Sequence, residues 1–437
     1  MKHEITRTLD TKPQYKRDRI LYIIEATVEY FIAILTSGAY MTKIALNIGM
    51  SDTLVAILSS ALTFTCAFQL FAMFLTKYKH PKRWLTGTLF AIEIAFTFIY
   101  IIPIVPFPSG VRPFLLMAAV LIGNSVYNVS AVAKSSWMIG YVADDKRGKF
   151  AGAMQSTSLI CGMIVTYIAG SIIDHFDAIG DTRGAFITIG AMVLAFSIIH
   201  IVLFLSMTEI PNEGFVNVSI RSQLKAIVGN KNLMKIIPIM MLYHTALHVA
   251  TPFYSTYLQR PDELNFTMTF IATLSIVSAV TRTAGNMFMG KVGDKYGFVT
   301  LWGIACVLSA TGLFINIFLR PENGVFIYTT YVVIYAVATA ASGIASHNLI
   351  FEYSPIELRS GVLAINGTLY GFASFFVTLV VTPFVEYLQQ TQRNGGTFLG
   401  MNLYAQQVVS AIACILMLLT FLYVATVARS AKRRDEA

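Results

Sequence analysis

Twelve apolar stretches, each long enough to cross a bilayer as a helix, run along this chain, and only a few carry ionisable side chains inside them. A helical crossing takes about 20 apolar residues. The stretches fall at 20–47, 52–76, 83–105, 112–136, 148–174, 184–207, 235–259, 266–290, 298–319, 325–351, 360–388 and 401–428. Hydrocarbon offers no water to satisfy backbone groups, so the spacing predicts an all-α integral membrane protein. A charge at the membrane centre costs about 2.5–3.5 kcal/mol on insertion scales. Glu25, Glu29, Glu93 and Arg282 therefore need a purpose, and handling of a solute or ion is the default one.

Only 13% of the residues are charged, against about 25% in soluble proteins. No connecting loop is long enough for a separate folded domain. About twenty polar residues ending in Lys16-Arg17-Asp18-Arg19 precede the first apolar run, which is too long and too acidic for a cleavable signal. It reads as a retained first crossing. Cys66, Cys161, Cys306 and Cys414 all lie inside apolar runs without metal or redox spacing, so neither disulfides nor a metal site is expected.

The basic residues alternate in density from loop to loop. Dense clusters occur before the first crossing, at Lys77, Lys79, Lys82 and Arg83, at Lys146, Arg147 and Lys149, in the middle stretch, and at Arg429, Lys432, Arg433 and Arg434. The opposite side carries only Lys43, Arg112, Arg183, Arg260, Arg320 and Arg393. This bias predicts both termini in the cytoplasm of a multi-pass cell-membrane protein. It also accounts for the net charge of +9 without a nucleic-acid partner.

The middle stretch holds Ser219 to Val228 followed by Gly229 and Asn230. Ile220, Leu224 and Ile227 recur at helical spacing with Arg221 and Lys225 opposite, which predicts a short helix on the cytoplasmic surface that ends at Gly229. It divides the chain into a tail (1–19), a six-helix bundle (20–207), a linker (208–234), a second six-helix bundle (235–428) and a basic tail (429–437). A faint repeat relates the halves. Asp145-Lys-Arg147-Gly follows crossing four and Glu357-Leu-Arg359-Ser-Gly follows crossing ten, spaced as Asp174 and Glu386 are.

The segment after crossing eight reads Gly290-Lys-Val-Gly-Asp294-Lys295-Tyr-Gly297. It resembles the Gly-x-x-x-Asp-Arg/Lys-x-Gly loop signature of the major facilitator superfamily. The twelve-crossing plan, the inside termini, the bridging helix and the acidic-Arg-Gly loop after crossing four are similar to that superfamily over essentially the whole chain. The resemblance implies a major facilitator-like fold of two six-helix bundles. It also implies a cytoplasmic gate that uses Asp294, Gly290, Gly297, Arg147 and Arg359, with Asp294 latching the halves. A solvated turn is the plain alternative for Asp294. Phe298 and Val299 replace the basic residues that usually follow the motif. The first-half counterpart, Thr76 to Arg83, lacks the Asp and both glycines.

Helical spacing marks polar faces on four crossings. Crossing seven carries His244, His248, Thr251 and Ser255; crossing ten carries Tyr335, Thr339, Ser342 and Ser346. Crossing one carries Glu25, Glu29, Thr36, Tyr40 and Lys43, and crossing four carries Asn124, Tyr127 and Asn128. The resemblance implies that these same four helices line a central cavity. Asn366, Tyr370, Ser374 and Thr378 on crossing eleven, with Gln155, Gly162 and Thr166 on crossing five, suit either close helix packing or solute contact.

At 1.5 Å per residue, Glu29, Arg282, His244 and Asn128 each lie about 12–14 Å from the cytoplasmic ends of their helices. The expectation is that Glu29, with Glu25 one turn away, carries a coupling proton and that Arg282 is its movable counter-charge or an anion clamp. A static Glu–Arg pair is the alternative. The expected solute contacts are Asn124, Asn128, His244, His248, Arg282, Tyr335, Thr339, Ser342, Asn366 and Tyr370. Glu93 and His200 suit a structural hydrogen bond, Lys134 and Trp137 suit interface anchors, and Pro252 suits a bend in crossing seven.

The function expected is secondary active transport of a small polar organic solute by alternating access, driven by protons or another coupling ion. No nucleotide-binding loop is present, and no Ser–His or metal constellation points to an enzyme or a cofactor. A transporter-like sensor that binds solute without moving it is the alternative. The partners expected are the solute, the coupling ion and the lipid bilayer, with the chain acting as a monomer.

Overall fold

The computed structural model describes residues 13–71, 80–139, 141–142, 147–209, 220–354 and 358–431. Among them twelve helical spans are long and apolar enough to cross a membrane. The first is broken in two, α1 (Pro13–Leu35) and α2 (Gly38–Asn47). Thr36 and Ser37 turn their hydroxyls back onto the carbonyls of Ile32 and Ala33, and Gly38 takes a left-handed φ of 54° that restarts the helix. Then follow α3 (Asp52–Phe64), continued by a tighter turn over Thr65–Phe71, α4 (Lys82–Ile104), α5 (Arg112–Ile139), α6 (Arg147–Ala178) and α7 (Thr182–Ser206).

The surface helix of the linker forms as α8 (Ile220–Gly229). Asn230 then caps α9 (Lys231–His248), its side chain accepting from the amides of Asn232 and Leu233. Crossing seven breaks at Val249–Ala250 and resumes as α10 (Thr251–Gln259) with Pro252 in its first turn. Proline has no amide hydrogen to give to the carbonyl of His248, and the hydroxyl of Thr378 donates to that carbonyl at 3.1 Å instead. The chain continues as α11 (Met268–Tyr296), α12 (Phe298–Asn316), α13 (Gly324–Tyr353), α14 (Arg359–Arg393) and α15 (Ala405–Thr426).

The motif from Gly290 to Gly297 is mostly not a loop. Residues up to Tyr296 complete α11, and only Gly297, at φ 84°, makes the turn into α12. A run of small and alternating residues is compatible with a final helical turn, and the left-handed turn needs one glycine only.

Two compact units emerge. The first comprises 1–50, 68–217 and 267–272; the second comprises 51–67, 218–266 and 273–437. In the first, α1 packs on α6 and α7, and α4 packs on α5 and α7. In the second, α12 lies between α13 and α15, and α14 packs on α3 and α9. Each unit thus includes one short segment from the other half of the sequence. A carboxylate bonds each included segment to its unit, beside the packing of α3 on α14 and α10. Asp174 at the end of α6 accepts from the amides of Met268 and Thr269 at 2.7 Å each, capping α11. Asp52 at the start of α3 meets Arg260 at 2.6 Å and Arg393 at 3.3 Å, with Gln389 donating at 3.2 Å.

Glycine permits the close helix approaches within each unit. A Cβ on Gly371 of α14 would lie 2.8 Å from the Thr63 carbonyl of α3, and one on Gly162 of α6 would lie 2.5 Å from the Tyr30 ring of α1.

Candidate functional site

The densest chemistry lies in the first unit, where α1, α4, α5 and α7 converge. Glu25 and Glu29 stand one helical turn apart on α1. The Lys134 ammonium from α5 reaches both, 2.6 Å from Glu25 Oε1 and 2.9 Å from Glu29 Oε1. The same Glu25 oxygen lies 2.7 Å from His200 Nε2 of α7. His200 Nδ1 lies 2.6 Å from Glu93 Oε1 of α4, and the Ser197 hydroxyl donates to Glu93 Oε2 at 2.5 Å. Glu25, Glu93 and His200 are buried, while the Glu29 side chain keeps 25% of its exposure. The cluster therefore opens at Glu29 and closes at Glu93. Three carboxylates facing an ammonium and an imidazole make a group of charges that satisfies itself only through protons.

This placement corrects one reading and extends another. Lys134 is not an interface anchor; two carboxylates draw its ammonium inward, where an unpaired charge would be costly. Trp137 is buried against Phe204 and Tyr141 rather than lying at an interface. Glu93 and His200 do hydrogen-bond, as part of this larger cluster. Glu29 has Lys134 as a counter-charge at 2.9 Å. Arg282 is half-buried within α11 and makes no hydrogen bond or ion pair among the described residues. Lys134 continues the face of Asn124, Tyr127 and Ala131 at steps of three and four, so extending that stripe by one turn would have found it. Glu25, Glu29 and His200 could also ligate a metal by distance, their ligand atoms lying within 4.8 Å of one another. The Lys134 ammonium, however, already fills the position a cation would take.

Elsewhere in the first unit, Asn124 and Asn128 of α5 donate to backbone carbonyls one turn back, and Gln69 donates to Asn128 Oδ1 at 2.9 Å.

The second unit gathers uncharged polar groups. The His244 and Tyr370 rings are 4.1 Å apart between centroids. His248 Nδ1 donates to the His244 carbonyl at 2.9 Å, and Nε2 lies 3.3 Å from the Thr63 hydroxyl. Thr339 and Ser342 of α13 turn back onto carbonyls of their own helix, and Tyr335 stacks on Tyr331. Asn366 is buried, and its Oδ1 has no partner among the described residues. Thr378 bonds the freed carbonyl at the break of crossing seven, a packing role for part of the α14 face.

Of the expected gate, Asp294 is exposed in the last turn of α11 and has no hydrogen-bond or ion-pair partner among the described residues. Gly290 has open space around it, and Gly297 makes the turn. The side chains of Arg147 and Arg359, and the first-half loop from 72 to 79, lie outside the described residues.

Comparison with known proteins is consistent with this architecture. The sequence model described as Major Facilitator Superfamily matches residues 21–378. No curated protein sequence matches the chain. A crystal structure of a variant of the nucleoside transporter NupG superposes with a TM-score of 0.75 at 13% identity, covering 94% of this chain and 99% of that one. A D-xylose-proton symporter gives 0.70 at 14% identity, covering 93% and 97%. A POT family transporter in complex with 5-aminolevulinic acid gives 0.67 at 11% identity, covering 96% and 99%.

Proposed function

The chain belongs to the major facilitator superfamily, and from that premise we propose that it is a secondary active transporter moving a small polar organic solute by proton-coupled alternating access. The observation that carries the coupling is one ammonium, Lys134, shared between two carboxylates of α1, one of them partly open. Protonation of Glu29 removes a charge from this shared bond and leaves Lys134 to Glu25 alone. The bonds between α1 and α5 then weaken, and the balance between two conformations shifts with the proton. The charge bias of the loops supports cytoplasmic termini in a cell membrane.

Arg282 supports a solute bearing a carboxylate or phosphate, because a half-buried guanidinium without an ion pair favours a bound anion. A second reading is a neutral polyhydroxyl solute, favoured by the imidazole, phenol, amide and hydroxyl groups of His244, His248, Tyr370 and Asn366. The relatives named for a nucleoside and for D-xylose are in keeping with that class.

Purified protein screened by thermal shift against organic acids, phosphorylated sugars, free sugars and nucleosides identifies the solute, since a ligand of the folded form raises its stability. The hit is then added to proteoliposomes loaded with a pH-sensitive dye. Solute-dependent acidification of the lumen in wild type, absent in Glu29→Gln, is the expected result. Solute uptake without proton movement in wild type removes the coupling. Binding without exchange of internal for external solute removes transport and leaves a sensor.

A further inference from the structure

Two contacts flank the His200 ring, 2.6 Å from Nδ1 to Glu93 Oε1 and 2.7 Å from Nε2 to Glu25 Oε1. Nitrogen and oxygen come this close only with a hydrogen between them. A carboxylate has none to give, and a neutral imidazole has one. The Ser197 hydroxyl donates to the other oxygen of Glu93 and so cannot supply the missing hydrogen on the Oε1 side. The triple Glu93–His200–Glu25 therefore needs one proton more than two carboxylates and a neutral ring contain.

We propose that this triple is a buried proton store, holding one exchangeable proton behind the Glu29–Lys134 bond and away from the open end of the cluster. Three helices build it, α4, α7 and α1, and all three residues are at most 3% exposed. Lys134 Nζ, 3.4 Å from His200 Nε2, is the one cation among the described residues that faces the ring. It opposes a second positive charge there, while Glu25, Glu29 and Glu93 favour it. This balance makes the stored proton sensitive to the position of α1. When α1 carries Glu25 away, the ring loses one anion and still faces the ammonium. As Glu25 withdraws it takes the Nε2 proton with it on Oε1, so imidazolium and carboxylate separate as imidazole and carboxylic acid. Glu29, the partly exposed member, connects the cluster with water. The existence of the store rests on the distances alone; its use in transport rests on the coupled-transport reading.

The test uses full-length protein in detergent, labelled with 15N-histidine and measured without any solute at pH 8.5, where exposed imidazoles are neutral. The expected result is one histidine with both ring nitrogens protonated, missing from His200→Gln. The store is equally established by an infrared band of a protonated carboxyl group that disappears in Glu93→Gln or Glu25→Gln. If no variant folds, the wild-type spectra decide: neutral histidines throughout and no protonated-carboxyl band overturn the store. Its loss leaves the transport reading standing. A stored proton in a protein that shows no solute-dependent acidification keeps the store and removes the coupling.

Discussion

Lys134 holds two glutamates of α1 with one ammonium at 2.6 and 2.9 Å, so its removal leaves negative charge buried without its main partner. Breaking a buried pair from one side costs about 3–5 kcal/mol. Lys134→Met is expected to lower stability by roughly this amount in thermal unfolding of detergent-purified protein. Adding Glu25→Gln should recover part of the loss; a fully additive double variant would show that the two groups are not coupled. A second residue gives a pH signature outside the membrane spans. Burial, together with the nearby Asp52 and Asp262 carboxylates, pushes Glu263 up to about 8 against the pull of Arg260 and Arg393. A carboxyl raised in the folded state binds protons that the unfolded chain releases, so its contribution to stability is full below pH about 4.5. That contribution falls as pH rises from there to about 8 and is flat beyond. Unfolding measured across this range should slope downward in wild type, and Glu263→Gln should remove that component of the slope. An unchanged slope in the variant would assign it to another group. The glutamates of α1 were legible because charge in an apolar run is conspicuous. Their partner was less so, since Lys134 lies near a helix end where lysine commonly reaches water, and pairing in space leaves no periodic trace.

Helix existence follows from apolar length alone, which is why twelve spans are visible in the sequence. Breaks inside helices are a finer matter. The break at Ala250 was signalled by Pro252, because proline removes a hydrogen bond at a known position. The break at Thr36–Ser37 was hidden, because threonine, serine and glycine are all common in unbroken membrane helices. Helix contacts follow the same division. Glycine on α14 hints at a close neighbour, and only the fold shows that it is the Thr63 carbonyl of α3. Backbone cannot yield as a side-chain tip can, so Gly371→Ala is expected to cost about 1–3 kcal/mol. Gly343, with nothing within 4 Å of a Cβ, is the control: Gly343→Ala should leave the melting temperature unchanged or raise it. Equal losses at both positions would mean that approach to the Thr63 carbonyl does not set the cost at Gly371.

At the scale of the whole chain, the two compact units do not follow the sequence halves. A six-plus-six division places a helix in the linker, where Ile220–Gly229 forms one, yet it cannot show that α3 groups with the later helices or that residues 267–272 group with the earlier ones. Within those groupings Asp52 and Asp174 each lie at the end of a helix, and each is bonded to groups from the other half of the sequence. By the alternation of the crossings, both lie at helix ends opposite the proposed cytoplasmic termini. A carrier working by alternating access must open that side once per cycle, and in doing so break such bonds. The Asp52 bonds combine two guanidinium groups and an amide on one carboxylate, whereas Asp174 caps a helix start with two amide hydrogens. Asp52→Asn keeps the shape and removes the charge, so it should favour local opening of α3 without touching the α11 cap. Hydrogen exchange measured by peptide mass spectrometry is expected to rise about five- to 150-fold in the first turns of α3 and the last turn of α14, which corresponds to about 1–3 kcal/mol of lost local stability. Exchange at residues 268–272 should stay at the wild-type rate. A rise confined to 268–272 would reverse the assignment, making the Asp174 cap the weaker tie. No rise anywhere would show that Asp52 contributes packing without holding this end closed.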